Sequence, residues 1–294
     1  MTKISGIFAA AMSILNSDLS LNVEKTIDHA EKLIDKGCHG TAIFGSTGQS
    51  QLIPISEKIE LLNKLSKSKY KDKHLIGTGL NSLGETTNFM KIATSLGFNK
   101  FLIMPPAYYK YGDLEVMEFY KKIIETVPDC KIILYNFEKL SGYKFSKECV
   151  ETLAKKYPNQ IVGVKDSSYN LYENLKLENF SVFPGSELKL LKGLELGCAG
   201  IITATCNVTA EMSRKVYEDF FTKQEQTQNK KLCDVRKVFD KYNLISGLHT
   251  FYSYENEIYR NILPPLRLLN KTEEKDLIEA LKNLNFKTKS PMAA

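Results

Sequence analysis

The sequence contains little arginine, although its net charge is positive. Only Arg214, Arg236, Arg260 and Arg267 are arginines, so the formal charge of +6 on 294 residues comes almost entirely from lysine. Proteins that bind nucleic acids more often cluster arginine with aromatic residues on one face. The sequence has no such cluster, and scattered lysines are typical of solvated helix faces. We therefore expect no nucleic-acid partner.

Metal-binding motifs and long apolar runs are also missing. None of the six cysteines forms a C-x-x-C pair, and the four histidines form no H-x-x-x-H cluster, so we expect no metal site. Thiols in apolar surroundings, such as Cys198, are typical of a reducing cytoplasm. No stretch approaches the ~20 apolar residues that span a membrane, and MTKISGIFAAAMSIL lacks the basic region and cleavage site of a signal peptide. These absences predict a cytoplasmic protein with no membrane partner.

The sequence does contain a regular alternation of short apolar runs with longer amphipathic segments. The apolar runs are bounded by glycine, proline or polar residues, as strands buried on both faces are. Strands are predicted over 6–12, 40–45, 74–79, 100–105, 131–136, 160–166, 180–185 and 199–205. Helices with apolar residues on one face are predicted over 21–36, 56–67, 84–96 and 186–196. Gly37, Gly97 and Gly197 follow three of these helices and are expected to end them.

Eight strand–helix alternations with short connections predict an α/β fold, a (β/α)8 TIM barrel. An open doubly wound sheet is the alternative, but it normally carries a glycine-rich loop after its first strand, and FAAAMSILNS has no glycine. The barrel is predicted to occupy residues 1–222. Residues 223–294 are predicted to form a helical extension that packs on the barrel. Its helices are expected over 232–246, 257–269 and 273–284.

The carboxyl ends of barrel strands normally carry the active site, and the sixth strand ends in Lys165. The apolar run IVGV before it would bury the lysine stem, and desolvation favours the neutral amine that attacks a keto carbon. Two other roles are open: reaching solvent, or pairing with the adjacent Asp166. The neighbouring fifth strand ends in Tyr135, whose phenol could transfer protons or simply pack.

Three further strand ends offer polar groups to the same mouth. At the end of the second strand, Ser46, Thr47 and Gly48 combine two hydroxyls with free backbone N–H groups, which suits a carboxylate. The candidate substrate-binding residues at the ends of the seventh and eighth strands are Gly185, Ser186, Glu187, Thr203 and Thr205.

Four motifs stand in order at the ends of the second, fourth, fifth and sixth strands. They are G-S-T-G-Q-S (45–50), P-P-A-Y-Y-K (105–110), Y-N-x-x-x-x-S-G (135–142) and G-V-K-D-S-S (163–168). Each motif alone is a weak signal, but together they resemble the family of dihydrodipicolinate synthases and N-acetylneuraminate lyases over essentially the whole chain. These enzymes are class I, pyruvate-dependent aldolases.

The resemblance implies a role for each matching residue. Lys165 matches the lysine that forms a Schiff base with pyruvate, and Tyr135 matches the phenol that transfers protons. Ser46 and Thr47 match the pair that binds the pyruvate carboxylate and relays protons. Tyr108 matches a tyrosine that many members insert into a neighbouring subunit's site, which implies a homo-oligomer, either a dimer or a dimer of dimers. The covalent imine to Lys165 serves as the electron sink, so no cofactor is implied.

Departures from the family pattern concern the second substrate. Synthases carry an arginine after the fifth strand that binds the carboxylate of aspartate semialdehyde, and Leu140 stands there instead. Leucine cannot form the bidentate contact of arginine, and no arginine precedes Arg214. In addition, Gln49 replaces a usual glutamate and Ile14 a usual proline.

The segment Leu-Ser-Gly (140–142) is closer to the N-acetylneuraminate lyase pattern. The sequence therefore favours an aldolase or lyase that joins pyruvate to an aldehyde, or cleaves a 2-keto-3-deoxy or related hydroxylated acid bound by Ser186, Glu187, Thr203 and Thr205. Three alternatives are open: a 4-hydroxy-tetrahydrodipicolinate synthase, a deoxy-sugar-acid dehydratase, and a catalytically silent barrel that binds a keto acid as a sensor.

Overall fold

Eight parallel strands form the centre of the computed structural model, which describes residues 3–286. The strands are β1 (Gly6–Ala10), β2 (Gly40–Ile43), β3 (His74–Gly77), β4 (Lys100–Ile103), β5 (Lys131–Asn136), β6 (Ile161–Asp166), β7 (Ser181–Pro184) and β8 (Gly200–Thr203). They are hydrogen-bonded in the order β7-β6-β5-β4-β3-β2-β1-β8. At the seam between β7 and β8, the N–H of Ala199 donates to the carbonyl of Val182 over 2.9 Å. The predicted (β/α)8 barrel is confirmed.

Helices follow the strands and surround the barrel. They are α1 (Val23–Asp35), α2 (Ile55–Leu65), α3 (Leu83–Ser95), α4 (Asp113–Thr126), α5 (Glu138–Ser141), α6 (Lys147–Lys156), α7 (Leu190–Glu195), α8 (Cys206–Phe221), α9 (Asn229–Phe239), α10 (Leu244–Ser253) and α11 (Lys271–Asn283). Gly37, Gly97 and Gly197 follow α1, α3 and α7 with φ angles of 111°, 87° and 86°. These left-handed conformations favour glycine, so the predicted helix ends are confirmed.

The strands are continuously apolar because both of their faces are buried. Phe8, Leu102 and Phe183 point into the barrel interior, where they form one cluster. The alternate residues, such as Ile7 and Ile103, pack outward against the helices. This double burial explains why the sequence shows unbroken apolar runs in place of an alternating pattern.

The C-terminal helices differ in part from the prediction. The segment 232–246 contains two helices, because α9 ends at Phe239 and Asn243 begins α10 by accepting hydrogen bonds from two of its N–H groups. The helix expected over 257–269 is wrong: only Glu257–Arg260 forms a short 3-10 turn. Pro264 and Pro265 interrupt the remainder, since proline has no N–H to donate.

Helices α9, α10 and α11 pack on the barrel through a cluster of buried apolar side chains. This cluster joins Phe239, Leu248 and Leu277 from the helices to Met12 and Ile14, which follow β1. The division of the chain at residue 222 stays a prediction, and the expected extension continues through 287–294, which lie outside the described residues. Within residues 3–286, no helix has the length and apolar content needed to cross a membrane.

The buried histidines are neutral parts of this structure. His29 contacts the amide oxygen of Asn207 and the hydroxyl of Tyr259 at 2.8 and 2.9 Å, and the Nδ1 of His74 contacts the Thr41 hydroxyl at 2.8 Å. Burial lowers the pKa of His29, His74 and His249 to about 4 in each case. Unfolding returns each imidazole to an ordinary pKa of about 6.5.

The free energy of unfolding should therefore fall as the pH drops from about 6.5 toward 4. Below the unfolded-state pKa the unfolded chain binds protons that the folded chain excludes, and each histidine contributes up to about 1.4 kcal/mol per pH unit. Urea unfolding at several pH values above about 5, where carboxylates are still ionised, measures the slope. His74→Leu should reduce the slope of the unfolding free energy against pH by the contribution of one histidine. A stability that is constant over this range would contradict the expectation.

Candidate active site

The amine of Lys165 lies against the ring of Tyr135 at the carboxyl end of the barrel. Strands β5 and β6 pair in parallel with Tyr135 directly opposite Lys165, and the lysine Nζ lies 4.1 Å from the centroid of the phenol ring. Both side chains are buried, with Lys165 only 3% exposed. The proximity expected from neighbouring strands is thus present, and the lysine does not extend into solvent.

Asp166 does not pair with Lys165. Its carboxylate accepts hydrogen bonds from the Asn136 side chain and from the N–H groups of Tyr169, Leu171 and Tyr172, all between 2.8 and 2.9 Å. Successive residues of a strand face opposite sides, which separates this carboxylate from its neighbour's amine. Burial raises the pKa of the Asp166 carboxyl. Asp166 therefore shapes the loop after β6 and leaves the amine of Lys165 available.

The G-S-T-G turn after β2 adds polar groups beside the phenol. The Ser46 and Tyr135 hydroxyls are 3.0 Å apart, and Thr47 is buried next to Ser46. The N–H of Gly48 donates to Gly45 in the turn, whereas the N–H groups of Ser46 and Thr47 find no acceptor within residues 3–286. A serine–phenol pair and two available N–H groups thus lie side by side.

Two features fix the shape of this turn. Ser13 donates its hydroxyl to the carbonyl of Gly48 at 2.6 Å, and a Cβ on Gly48 would lie 2.9 Å from the carbonyl oxygen of Ala11. Glycine is required there because the turn approaches the end of β1 so closely. Neither Ser13 nor this approach was apparent from the sequence.

Gln49 connects the turn to the C-terminal helices. Its side-chain oxygen accepts from the N–H of Leu263 at 2.9 Å, so its amide nitrogen faces Nε2 of His249 at 3.2 Å. The other ring nitrogen of His249 faces the carbonyl of Tyr259 at 2.8 Å and must donate to it. His249 is therefore neutral, with its proton on Nδ1 and with Nε2 accepting from Gln49. This support from α10 has no signal in the sequence.

The ends of β7 and β8 are joined by a buried ion pair that the sequence did not predict. Arg236 on α9 is 5% exposed, and its Nη1 lies 2.9 Å from both the Glu187 carboxylate and the Thr203 hydroxyl, and 3.4 Å from that of Thr205. Burial opposes its charge, but Glu187 and Asp240 raise the pKa of Arg236 above its usual value.

The sequence contains no arginine before Arg214 and predicted no role for Arg236. The packing of α9 brings this arginine to the ends of β7 and β8. Arg236 binds the polar groups of Glu187, Thr203 and Thr205, and the carbonyl of Gly185 also faces its guanidinium. The Ser186 hydroxyl accepts a hydrogen bond from the N–H of Leu188. The role of these residues in binding substrate stays a prediction.

Leu140 and Tyr108 lie on loops at the rim. Leu140 on α5 is 44% exposed and faces the cavity beside Tyr135. Tyr108, in the loop after β4, is 90% exposed and packs edge-on against Tyr109 at 5.1 Å. Its φ of 91° is strained for a residue other than glycine. The insertion of Tyr108 into a neighbouring subunit stays a prediction.

No group of three or more potential metal ligands occurs in the part of the chain that the structure describes.

The sequence profile of the Dihydrodipicolinate synthetase family matches residues 3–284. The chain belongs to this family. Among its relatives, the N-acetylneuraminate lyase of Actinobacillus pleuropneumoniae is 31% identical over 232 residues, which are 76% of this chain and 77% of the relative. The 2-dehydro-3-deoxy-D-gluconate/2-dehydro-3-deoxy-phosphogluconate aldolase of Picrophilus torridus is 27% identical over 231 residues, 76% of this chain and 85% of the relative.

Solved structures of the dihydrodipicolinate synthase family share the fold. YagE of E. coli K12, described in complex with pyruvate, superimposes with a TM-score of 0.87 at 21% identity, over 97% of this chain and all of YagE. Family membership makes this chain a pyruvate-dependent lyase or aldolase of the Schiff-base class. The resemblance expected from the four motifs is confirmed.

Replacing Gln49 by glutamate should raise the pKa of His249 above its present value of about 4. A carboxylate at this position favours the imidazolium and accepts a proton from Nε2, whereas the glutamine amide can only donate there. A ring-nitrogen NMR titration of His249 measures the change and reports the tautomer. The exposed neighbour provides the control, since Gln51→Glu should leave His249 almost unaffected; an unchanged titration in Gln49→Glu would refute the assigned contact.

Replacing Arg236 by methionine should lower the free energy of unfolding by about 3–5 kcal/mol, because Glu187 is then buried without a counter-charge. The double variant Arg236→Met/Glu187→Leu should recover much of that loss, since it removes both charges. Urea unfolding of the single and double variants provides the comparison. Equal stability of wild type and Arg236→Met would show that the pair is not formed in solution.

Proposed function

We propose that this enzyme forms an imine between Lys165 and pyruvate and uses it to make or cleave a carbon–carbon bond. The substrate on the cleavage side is a 4-hydroxy-2-keto acid, which is a 2-keto-3-deoxy acid. The observation that carries the proposal is the buried amine of Lys165, 4.1 Å from the ring of a phenol that contacts Ser46 at 3.0 Å. The adjacent carboxylate of Asp166 is hydrogen-bonded to Asn136 and to the loop after β6 instead of this amine.

In the first step, the N–H groups of Ser46 and Thr47 and their hydroxyls bind the carboxylate of pyruvate. The keto carbon then lies next to Lys165, whose nitrogen lone pair attacks it to give a carbinolamine. Loss of one water molecule yields the imine, and the departing hydroxyl takes a proton from the Tyr135 phenol. The short distance between Tyr135 and Ser46 allows the phenol to regain its proton along the hydroxyl pair.

In the second step, C3 of pyruvate loses a proton to the hydroxyl pair of Tyr135 and Ser46, and the protonated imine accepts the electron pair that this releases. The resulting enamine attacks the aldehyde carbon through C3, and the aldehyde oxygen takes up a proton from the same hydroxyl pair. Water then hydrolyses the imine, which releases the 4-hydroxy-2-keto acid and restores the free amine of Lys165. The reverse sequence cleaves the same bond. The protonated imine on Lys165 is the electron sink, so the cycle requires no cofactor.

The two relatives named above support this reaction type, since one is a lyase and the other an aldolase of 2-keto-3-deoxy acids. Dehydration of a deoxy-sugar acid, in which a carbon–oxygen bond breaks, would use the same lysine and is the second candidate. Leu140 argues against a 4-hydroxy-tetrahydrodipicolinate synthase, because it cannot bind the carboxylate of aspartate semialdehyde. We also propose that Tyr108, exposed on its loop, reaches a neighbouring subunit's site in a homo-oligomer.

Borohydride reduction in the presence of pyruvate should attach a pyruvate-sized adduct to Lys165. Lys165→Ala should give no adduct, because the nucleophile is gone. Tyr135→Phe should still form the adduct but lose about 10²–10⁴-fold in turnover, the usual contribution of a general acid or base. Peptide mass spectrometry locates the adduct, and a pyruvate-release assay measures turnover.

An adduct on another lysine, or full activity of Lys165→Ala, would refute the assignment. An adduct on Lys165 without turnover of any aldehyde or 4-hydroxy-2-keto acid would favour the keto-acid sensor.

A further inference from the structure

A cavity of about 270 Å³ opens beside the proposed catalytic groups. Ser46 and Tyr135 form part of its wall, and the amine of Lys165 lies 4.1 Å from the ring of this tyrosine. It lies between the loops after β2, β4 and β5 on one side and the segments around α10 on the other. Its apolar side chains include Phe44, Leu52, Met104, Leu140, Ile245 and Leu266.

Among residues 3–286, no charged side chain lines this cavity, and most of its polar side chains are already occupied. Gln49 uses its amide oxygen for Leu263 and its amide nitrogen for His249. The oxygen of Asn243 accepts the N–H groups of Ile245 and Ser246 at the start of α10. A ligand in this space therefore meets a mainly apolar surface, with few free polar groups to bind its own polar atoms.

The opposite side of the mouth does not provide an alternative polar surface. There, the Glu187 carboxylate and the hydroxyls of Thr203 and Thr205 are buried and bound to Arg236. A polyhydroxylated chain or a second carboxylate would lose its water without gaining equivalent partners on either side. Such unpaired polar groups are strongly disfavoured.

We propose that this cavity binds the substituent of the aldehyde and selects an apolar one, such as a branched alkyl group or a single aromatic ring. The inference rests on the proposed function, and it specifies which 4-hydroxy-2-keto acids the enzyme makes or cleaves. A cavity of about 150 Å³ already accepts benzene, so the volume here is sufficient for a ring with a short side chain. The new bond joins C3 of pyruvate to the aldehyde carbon, which leaves the substituent in the cavity.

The cavity could have a different occupant, because Leu52 and Leu140 are 38% and 44% exposed and a second copy of the chain could cover them. The position of the cavity favours the aldehyde. It shares Ser46 and Tyr135 with the site of imine formation, and the carbon that accepts the enamine must lie next to that site.

A homologous series of aldehydes tests the proposal, because acetaldehyde, propanal, butanal and 3-methylbutanal differ in size while their carbonyl groups react similarly. With saturating pyruvate, kcat/KM should rise along the series, by up to about fourfold for each buried methylene group. Glyceraldehyde and aspartate semialdehyde should be poorer acceptors than 3-methylbutanal by about tenfold or more. The inference would be overturned if kcat/KM stayed constant or fell along the series, or if either polar aldehyde were preferred. A constant kcat/KM is the result expected if a second copy of the chain fills the cavity.

Variants test whether the cavity wall causes the preference for larger apolar aldehydes. Leu140→Asn should lower kcat/KM for 3-methylbutanal by at least about fivefold relative to acetaldehyde, because it places a polar group in the cavity wall. The matched control is Leu114→Asn, an exposed leucine on α4 outside the cavity, which should leave the series unchanged. Equal effects of the two variants would also overturn the inference.

Borohydride trapping of pyruvate, measured in parallel for every protein, separates the two proposals. Trapping at Lys165 combined with a flat aldehyde series would refute the apolar cavity and leave the proposed function standing. Absence of trapping in the wild type would refute the proposed function, and the inference would fail with it.

Discussion

The pairing of β5 with β6 is the constraint on which the candidate active site depends. In a closed parallel barrel, the register of two neighbouring strands decides which side chains meet at the carboxyl end. Here the register sets Tyr135 opposite Lys165. A shift of one residue would replace Lys165 by Asp166, whose carboxylate serves the loop after β6. The same constraint buries Lys165 beside the phenol, with 3% of the lysine exposed.

The two sides of the barrel mouth differ in the hydrogen-bond partners of their polar side chains. On the side of β7 and β8, Arg236 neutralises Glu187, so what looks in sequence like an acidic, hydroxyl-rich corner is an internal ion pair. On the side of β2 and β5, the polar side chains hydrogen-bond one another and leave mainly leucine, methionine and isoleucine facing the open space. Such buried polar groups are stable only when paired. The consequence is a site whose reacting groups are polar and whose nearby cavity is apolar.

The C-terminal helices complete the site as well as cover the barrel. Helix α9 supplies Arg236, and α10 supplies His249, which contacts Gln49 just after the G-S-T-G turn. Asn207 at the start of α8 binds the carbonyls of Ala10 and Ala204 and the ring of His29, so the ends of β1 and β8 are held by the same network. The appended helices and the barrel mouth therefore form one hydrogen-bonded unit.

The barrel, most of its strands and the cluster around Lys165 could be predicted from the sequence. Apolar periodicity, glycines at helix ends and motifs at strand ends are local signals, and parallel neighbours along the chain become neighbours in space. Helix 257–269 failed because two prolines override the apolar pattern. Only the tertiary structure decided three features: the pairing of Arg236 with Glu187, the pairing of Gln49 with His249, and the apolar cavity. Each joins residues about 50 to 200 positions apart, and a contact of that range depends on how whole helices pack, which no local pattern records.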